Sequence, residues 1–175
     1  QATSIPGVAQ RTGATTYYIE IWPETWDEVG DRQPVFALSP SPGEVDIFAS
    51  TELLETGRQI QSGYVTPDRT LLIASTHRAF SPAEKMQMGD GRADSKQLVQ
   101  AAGDRSKSQI LFDMEDAARE SGAHISAVLL GAIAGCGAMP VSEETFREGI
   151  RAEGKAVDAN LAGFAAGFRA AQGDV

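Results

Sequence analysis

Short apolar runs alternate with helix-start signals along this chain, and this alternation constrains the fold more than any other feature. The runs are rich in β-branched and aromatic residues, which suit a pleated and largely buried surface. They predict strands at residues 15–21, 35–38, 45–49, 71–75 and 109–112. Strands that alternate with helices predict an α/β fold, with an open, mostly parallel sheet and helices on both of its faces.

Polar residues mark the starts of several predicted helices. Ser50 follows a predicted strand and fits the N-cap of a helix over residues 51–61. Asp94 and Gln97 have the spacing of a capping box, and Ser142 fits the N-cap of a later helix. These signals agree with the strand pattern, so they favour the same α/β architecture.

The last two apolar helices differ in how their apolar residues are arranged. The helix at about residues 155–171 has one apolar face, as a stripe that faces the core does. Its members are Val157, Leu161, Phe164 and Phe168. The helix over residues 126–137 is apolar nearly all round, so we expect burial on several sides, within the domain or against a partner.

Size and charge exclude several classes of protein. A chain of 175 residues fits one domain with a single sizeable core. The net charge of −9 disfavours nucleic acid as a partner, because such binding depends on clustered Lys and Arg. No apolar run reaches the roughly 18 residues that a membrane-spanning helix needs, so a membrane is not expected as a partner either.

The single cysteine, Cys136, limits redox and metal chemistry. One cysteine cannot form an internal disulfide and cannot supply the set of thiolates that holds an iron–sulfur cluster. Because Cys136 lies between two glycines, we expect a buried and inert thiol rather than a nucleophile. Neither histidine has a second ligand at metal-binding spacing, so no metal site is expected.

The carboxyl ends of the predicted strands are where a ligand is expected in an open α/β sheet. This rule selects residues 50–52, Thr76, His77, Arg78 and Asp113. His77 is the candidate catalytic residue, since a histidine near neutrality can transfer a proton or orient a carboxylate. The alternative is a loop histidine held by hydrogen bonds. His124, ahead of the apolar helix, is expected to be a local cap or a surface residue.

A polar turn near the start of the chain offers further donors. Gln10, Arg11, Thr12 and Gly13 precede a strand, and glycine lets the backbone approach another molecule closely. Arg11 and Arg78 could each hold a carboxylate or phosphate through two hydrogen bonds, and the alternative is a salt bridge between subunits. Glu52 could meet such an arginine or receive a proton, although its first-turn position is also explained by the helix dipole.

Several motifs in the same order resemble one enzyme family. They are the Gln-Arg-Thr-Gly turn at 10–13, Ser-Thr-Glu-Leu-Leu-Glu-Thr-Gly-Arg at 50–58, Tyr-Val-Thr-Pro-Asp-Arg-Thr at 64–70, Ala-Ser-Thr-His-Arg at 74–78 and Glu-Lys-Met-Gln-Met-Gly-Asp-Gly at 84–91. Together with the small-residue helix, they resemble the smaller (beta) subunit of indolepyruvate ferredoxin oxidoreductase. The same module is the gamma subunit or domain of pyruvate and other 2-oxoacid ferredoxin (flavodoxin) oxidoreductases.

The resemblance implies an activity that belongs to an assembled cytoplasmic complex. That activity is oxidative decarboxylation of a 2-oxoacid, with an aryl pyruvate such as indolepyruvate favoured, to an acyl-coenzyme A. Thiamine diphosphate and 4Fe-4S clusters would lie in partner domains, coenzyme A would be the cosubstrate, and ferredoxin would accept the electrons. The partners implied are a larger thiamine-diphosphate-binding subunit and ferredoxin, and this domain alone would bind no cofactor.

The resemblance also gives this chain an accessory role and a Rossmann-like sheet. Gln10, Arg11, Thr12, Gly13, Glu52, Thr76 and Arg78 would shape the active-site mouth or the coenzyme A entrance. Family members open with a strand, a Gly-Gly-Gln-Gly loop and a helix, none of which precedes Gln1. We therefore expect a single gamma-type domain over residues 1–175 that is truncated at its N-terminus.

Two other functions remain open at this point. The chain could be a non-catalytic scaffold whose Gln10–Gly13 turn, apolar helix and 77–94 loop only bind sister subunits. It could also be an independent Rossmann-like module for a small ligand. The sequence has no G-x-G-x-x-G after a strand and no G-x-S-x-G elbow, which disfavours a self-contained nicotinamide site and a hydrolase.

Overall fold

The computed structural model of the chain describes residues 1–6, 15–30, 34–77 and 95–173. The chain divides into two compact units, residues 1–41 and residues 42–175. Each unit is built around its own hydrogen-bonded strands, and each is described by itself below.

The first unit is a two-stranded antiparallel hairpin with a short helix. Strand β1 is Ala2–Pro6, strand β2 is Thr15–Ile19, and helix α1 is Trp26–Val29. In the hairpin register Ala2 lies opposite Ile19 and Ser4 lies opposite Tyr17. The predicted strand at 15–21 is confirmed in its first five residues, and β1 is an element that the sequence analysis missed.

The strand predicted at residues 35–38 is wrong. These residues form no ladder, and the side chain of Val35 is 95% exposed. Side chains take the place of a neighbouring strand: the Ala37 N–H donates to Glu20 Oε2 at 2.8 Å, and the Ala37 carbonyl accepts from Gln1 Nε2 at 3.1 Å. The apolar residues of this segment therefore gain no burial from a sheet.

The second unit contains a three-stranded parallel sheet. Its strands are β3 (Ile47–Ser50), β4 (Leu71–Ser75) and β5 (Ser108–Phe112), with β4 in the centre. Ile73 of β4 lies opposite Ala49 of β3 and Ile110 of β5. The predicted bounds are confirmed for β4, whereas β3 begins two residues later than predicted and β5 one residue earlier.

Helices cover both faces of this sheet, as the α/β prediction requires. They are α2 (Leu53–Gln61), α3 (Ser95–Asp104), α4 (Met114–Ser121), α5 (Ile125–Gly135), α6 (Glu143–Glu153) and α7 (Val157–Gln172). Successive residues of a strand point to opposite faces. Accordingly Leu72 packs with Ala102 of α3 in one core cluster, and Ile73 packs with Met114 of α4 and Val128 of α5 in the other.

Glycines let α5 and α7 approach until their backbones touch. A Cβ atom at Gly131 would overlap the carbonyl oxygen of Phe164, and one at Gly167 would overlap that of Val128. The apolar helix predicted at 126–137 is thus buried within its own unit along this line, where Val128 and Ala132 are fully buried. Close contact through small residues replaces the usual layer of side chains between two helices.

The N-cap of α6 and the apolar face of α7 agree with the sequence pattern. Ser142 caps α6, where its Oγ accepts the Thr145 N–H at 3.2 Å, so this prediction is confirmed. In α7 the stripe residue Phe164 is fully buried, and its ring lies 6.1 Å from that of Phe168. Among the described helices, none is long and apolar enough to cross a membrane.

Candidate functional site

The buried hydroxyl of Ser75 links two segments at the carboxyl edge of the sheet. Ser75 ends β4 and is fully buried. Its Oγ accepts the backbone N–H of His77 at 3.1 Å and that of Met114, the first residue of α4, at 3.2 Å. One side chain therefore joins the segment after β4 to the helix after β5.

The backbone of Thr76 and His77 is tied to the neighbouring elements as well. The Thr76 N–H donates to the carbonyl of Phe112 in β5 at 2.9 Å. The His77 carbonyl accepts the N–H of Leu53, the first residue of α2, at 3.1 Å. The His77 backbone is consequently fixed between α2 and α4, and its side chain is half-buried at the edge.

Glu52, rather than Ser50, caps α2, so the predicted N-cap is wrong. The Glu52 carboxylate accepts the N–H groups of Leu54 at 3.0 Å and Glu55 at 2.8 Å. Ser50 remains in β3, opposite Ala74 of β4, and the helix starts three residues later, at Leu53. The Ser50 hydroxyl instead binds the backbone of Glu52, from which it accepts an N–H at 3.3 Å.

Asp113 is the N-cap of α4, as Glu52 is of α2. Its Oδ1 accepts the Asp116 N–H at 3.0 Å, and its backbone is extended, as the N-cap position requires. Helices α2 and α4 both begin at the carboxyl edge, and a carboxylate of the chain satisfies N–H groups at each start. An anionic ligand at this edge would need other donors, because these helix N-termini already hold negative charge.

The donors that the sequence analysis proposed for such an anion are not in the described ranges. Gln10, Arg11, Thr12 and Gly13 belong to residues 7–14, and Arg78 belongs to residues 78–94. The capping box at Asp94 and most of the 77–94 loop lie outside the described residues too. The structure therefore brings together residues 50–52, Thr76, His77 and Asp113, and leaves the two arginines as predictions.

A match to one protein family extends over nearly the whole chain. The chain matches the pyruvate ferredoxin/flavodoxin oxidoreductase family over residues 1–170. This chain belongs to that family. It is accordingly a component of a 2-oxoacid oxidoreductase whose family acts through multidomain or multisubunit partners. No curated protein and no solved structure gives a significant match.

The side chains of His124 and Cys136 in this oxidoreductase component contact residues close to them in the sequence. His124 is exposed at the N-cap of α5 without a capping bond from its side chain, so it is a surface residue. Cys136 is half-buried, where burial was expected, and its Sγ lies 3.0 Å from the Ile133 carbonyl oxygen. Within the described ranges, no group of three or more His, Cys, Asp or Glu residues is placed to hold a metal ion.

An open cavity lies among the C-terminal helices of the second unit. It has a volume of about 470 Å³ between α5, α6 and α7, and its apolar wall includes Leu130, Phe146 and Ile150. Its amide residue, Asn160, is occupied, because Oδ1 accepts the His124 N–H and Nδ2 donates to the Lys155 carbonyl. Without a converging set of free polar groups, this cavity is a weaker candidate than the sheet edge.

Sequence reasoning missed Ser75, although it is the residue that organises the edge. A serine at the end of an apolar run gives no local sign that its hydroxyl will meet an amide 39 residues further along the chain. A polar residue directly after a continuous apolar strand is the one available signal, because a buried hydroxyl needs hydrogen-bond partners.

Proposed function

We propose that this chain is the gamma-type component of a 2-oxoacid ferredoxin oxidoreductase, with an aryl pyruvate such as indolepyruvate as the substrate. The family match over residues 1–170 is the observation that carries this proposal. The finer assignment rests on the colinear motifs that resemble the smaller subunit of the indolepyruvate enzyme. The reaction would be oxidative decarboxylation to an acyl-coenzyme A in the cytoplasm, with ferredoxin as the electron acceptor.

The proposed role of this chain in that reaction is accessory. Its single cysteine cannot provide the four thiolates of a 4Fe-4S cluster, so the clusters would be held by partner domains. The proposal places thiamine diphosphate in a larger partner subunit, and coenzyme A would enter as cosubstrate. A single gamma-type domain made of both compact units stays a prediction.

Within the accessory role, we propose that His77 transfers a proton or orients a carboxylate of the substrate. Its backbone is fixed by Ser75 and Leu53, which would let the imidazole meet a substrate in a defined position. Arg11 and Arg78 would hold the carboxylate of the 2-oxoacid or a phosphate of coenzyme A. Glu52 would line the same mouth, but its bonds to two N–H groups of α2 support a structural task for its carboxylate.

The test is turnover of the assembled complex with variants of this chain. His77→Gln should lower kcat about a hundredfold, the usual scale for loss of a general acid or base. Arg11→Ala should raise KM for the 2-oxoacid or for coenzyme A. His124→Gln is the matched control, since it makes the same change at an exposed histidine, and it should leave both constants unaltered.

A scaffold function is the second candidate, and one observation favours it. At the described sheet edge, Glu52 and Asp113 are both used as helix caps, which leaves few groups for a ligand. If His77→Gln and Arg11→Ala complexes assemble and keep full turnover, the scaffold function replaces the active-site proposal. Saturable binding of coenzyme A by the chain alone would instead favour an independent ligand-binding module.

A further inference from the structure

One face of the hairpin carries large apolar side chains that are mostly exposed. In strand β2, Tyr17 and Ile19 point to the same face, and they are 71% and 60% exposed. Their partners across the hairpin are Ser4 and Ala2, which are exposed too and too small to shield them. The face is therefore exposed at these four positions.

The opposite face of the hairpin is partly buried at Thr3 and Tyr18. Thr3 lies opposite Tyr18, and both side chains are half-buried. The hydroxyl of Tyr18 donates to the carboxylate of Glu20, which in turn accepts the Ala37 N–H. Thr3 and Tyr18 are thus less exposed than Tyr17 and Ile19 on the first face.

Two more exposed apolar residues follow β2 closely in the sequence. Ile21 is 44% exposed and Trp22 is 47% exposed, and we call Tyr17, Ile19, Ile21 and Trp22 together the hairpin face. A two-stranded hairpin alone is marginally stable in water, and contiguous exposed apolar patches commonly mark interaction sites. Tyr and Trp are also the residues most enriched among the anchors of protein interfaces.

The charges of unit 1 indicate what kind of partner fits. In the described part of unit 1, residues 1–6, 15–30 and 34–41, the charged side chains are Glu20, Glu24, Asp27 and Glu28, all carboxylates. A second copy of the chain would bring the same carboxylates to the contact, and each of the two copies carries a net charge of −9. Like charges at a contact disfavour association, so a surface with basic residues around an apolar centre is complementary.

We propose that the hairpin face docks onto a partner protein whose contact surface is apolar at its centre and bordered by Lys and Arg. The identity of that partner rests on the proposed function, which makes it the thiamine-diphosphate-binding component of the complex. The apolar side chains provide most of the affinity, and the carboxylates of unit 1 set the orientation and the salt dependence.

The test uses the complex purified through a tag on the full chain, with its subunits identified. Hydroxyl-radical footprinting should label Tyr17 and Trp22 in the free chain and leave them protected in the complex. Ile19→Asp should weaken assembly roughly tenfold or more, the scale of an interface anchor. Thr16→Asp is the matched control, because it adds the same charge to the same strand on the opposite face, and it should stay within about twofold.

Charge is tested separately. Glu24→Lys should weaken assembly and reduce its salt dependence, whereas Glu148→Lys, the same change on exposed α6, should do neither. Equal effects of Ile19→Asp and Thr16→Asp, or full labelling of Tyr17 in the complex, would overturn the proposal. So would the absence of any partner, or a dimer of this chain that Ile19→Asp dissolves.

The same experiment separates this inference from the proposed function. A complex that protects the hairpin face but binds no thiamine diphosphate and oxidises no 2-oxoacid would support the docking surface and refute the proposed function. A complex that turns over indolepyruvate while Tyr17 remains fully labelled would support the proposed function and refute the docking surface.

Discussion

The two compact units differ in how far their large apolar side chains are buried. In residues 42–175, Leu72, Ile73 and Phe164 have no exposed surface. In residues 1–41, Tyr17 and Ile19 are mostly exposed. The difference follows from architecture: a three-stranded sheet with helices on both faces supplies two apolar layers, whereas a two-stranded hairpin supplies none.

This contrast separates stability from recognition within one chain. Burial of apolar surface is the main favourable contribution to folding, so substitutions in unit 2 should change the free energy of unfolding. Exposed apolar side chains in unit 1 should contribute little to that quantity, and under the docking proposal they contribute to association instead. Four measurements test this division.

The largest effect is expected from truncating one aromatic ring in each unit. Phe164→Ala removes a fully buried ring in α7, and it should lower the free energy of unfolding by about 4 kcal/mol, since it leaves a cavity. Tyr17→Ala on the hairpin should change it by about 0.5 kcal/mol or less. Urea unfolding of the full chain measures both, and similar losses for the two variants would contradict the division.

The glycine contact between α5 and α7 should give the next largest effect. Gly131→Ala forces a Cβ atom onto the Phe164 carbonyl oxygen, so we expect a loss of about 3 kcal/mol from overpacking. Gly149→Ala in α6 is the control, because a Cβ atom there meets nothing within 4 Å. It should stabilise the chain by up to about 1 kcal/mol through helix propensity, and thermal unfolding would reveal the opposite signs.

A smaller loss is expected from removing a helix cap in unit 2. Ser142→Ala leaves the Thr145 N–H without its acceptor, which should cost about 1 kcal/mol. Ser142→Asp keeps an acceptor at the N-cap and should restore most of the loss. If Ser142→Asp unfolds as readily as Ser142→Ala in urea, the capping bond is not the cause.

The smallest effect concerns pH and the helix of unit 1. Hydrogen bonds from the backbone N–H and then the hydroxyl of Thr25 lower the pKa of Glu28 below its ordinary 4.5. Because the folded-state pKa is lowered, this contribution to α1 is present above pH 4.5 and is lost as pH falls through the lowered pKa.

NMR titration of Glu28 should show that midpoint directly. Thr25→Val, which removes the hydroxyl and keeps the backbone N–H, should move the pKa part of the way back toward 4.5. A Glu28 pKa that Thr25→Val leaves unchanged would assign the whole shift to the backbone bond.

The sequence predicted those parts of the fold that depend on local signals. Residues 71–75 form a continuous apolar run, and a central parallel strand buried on both faces requires such a run. Ser142 was found because an N-cap is read from its immediate neighbours. The positions of Thr76, His77 and Asp113 at one edge followed from the α/β pattern, because parallel strands share a carboxyl edge.

What the sequence did not predict depends on distant partners. Residues 35–38 have the composition of a strand, but no neighbouring strand pairs with them. Strand β1 was missed for the converse reason, since its ladder depends on pairing with β2 across residues 7–14. The sequence around Ser50 has the pattern of an N-cap, because local propensity does not show that β3 extends through this residue to pair with Ala74.

The backbone contact between α5 and α7 has a consequence for protein engineering. Since main-chain atoms of the two helices meet, their separation is set by glycine positions on both sides, including Gly131 and Gly167. A chimera that imports one of these helices from a relative without the other would bring mismatched spacing. The two helices should therefore be exchanged together.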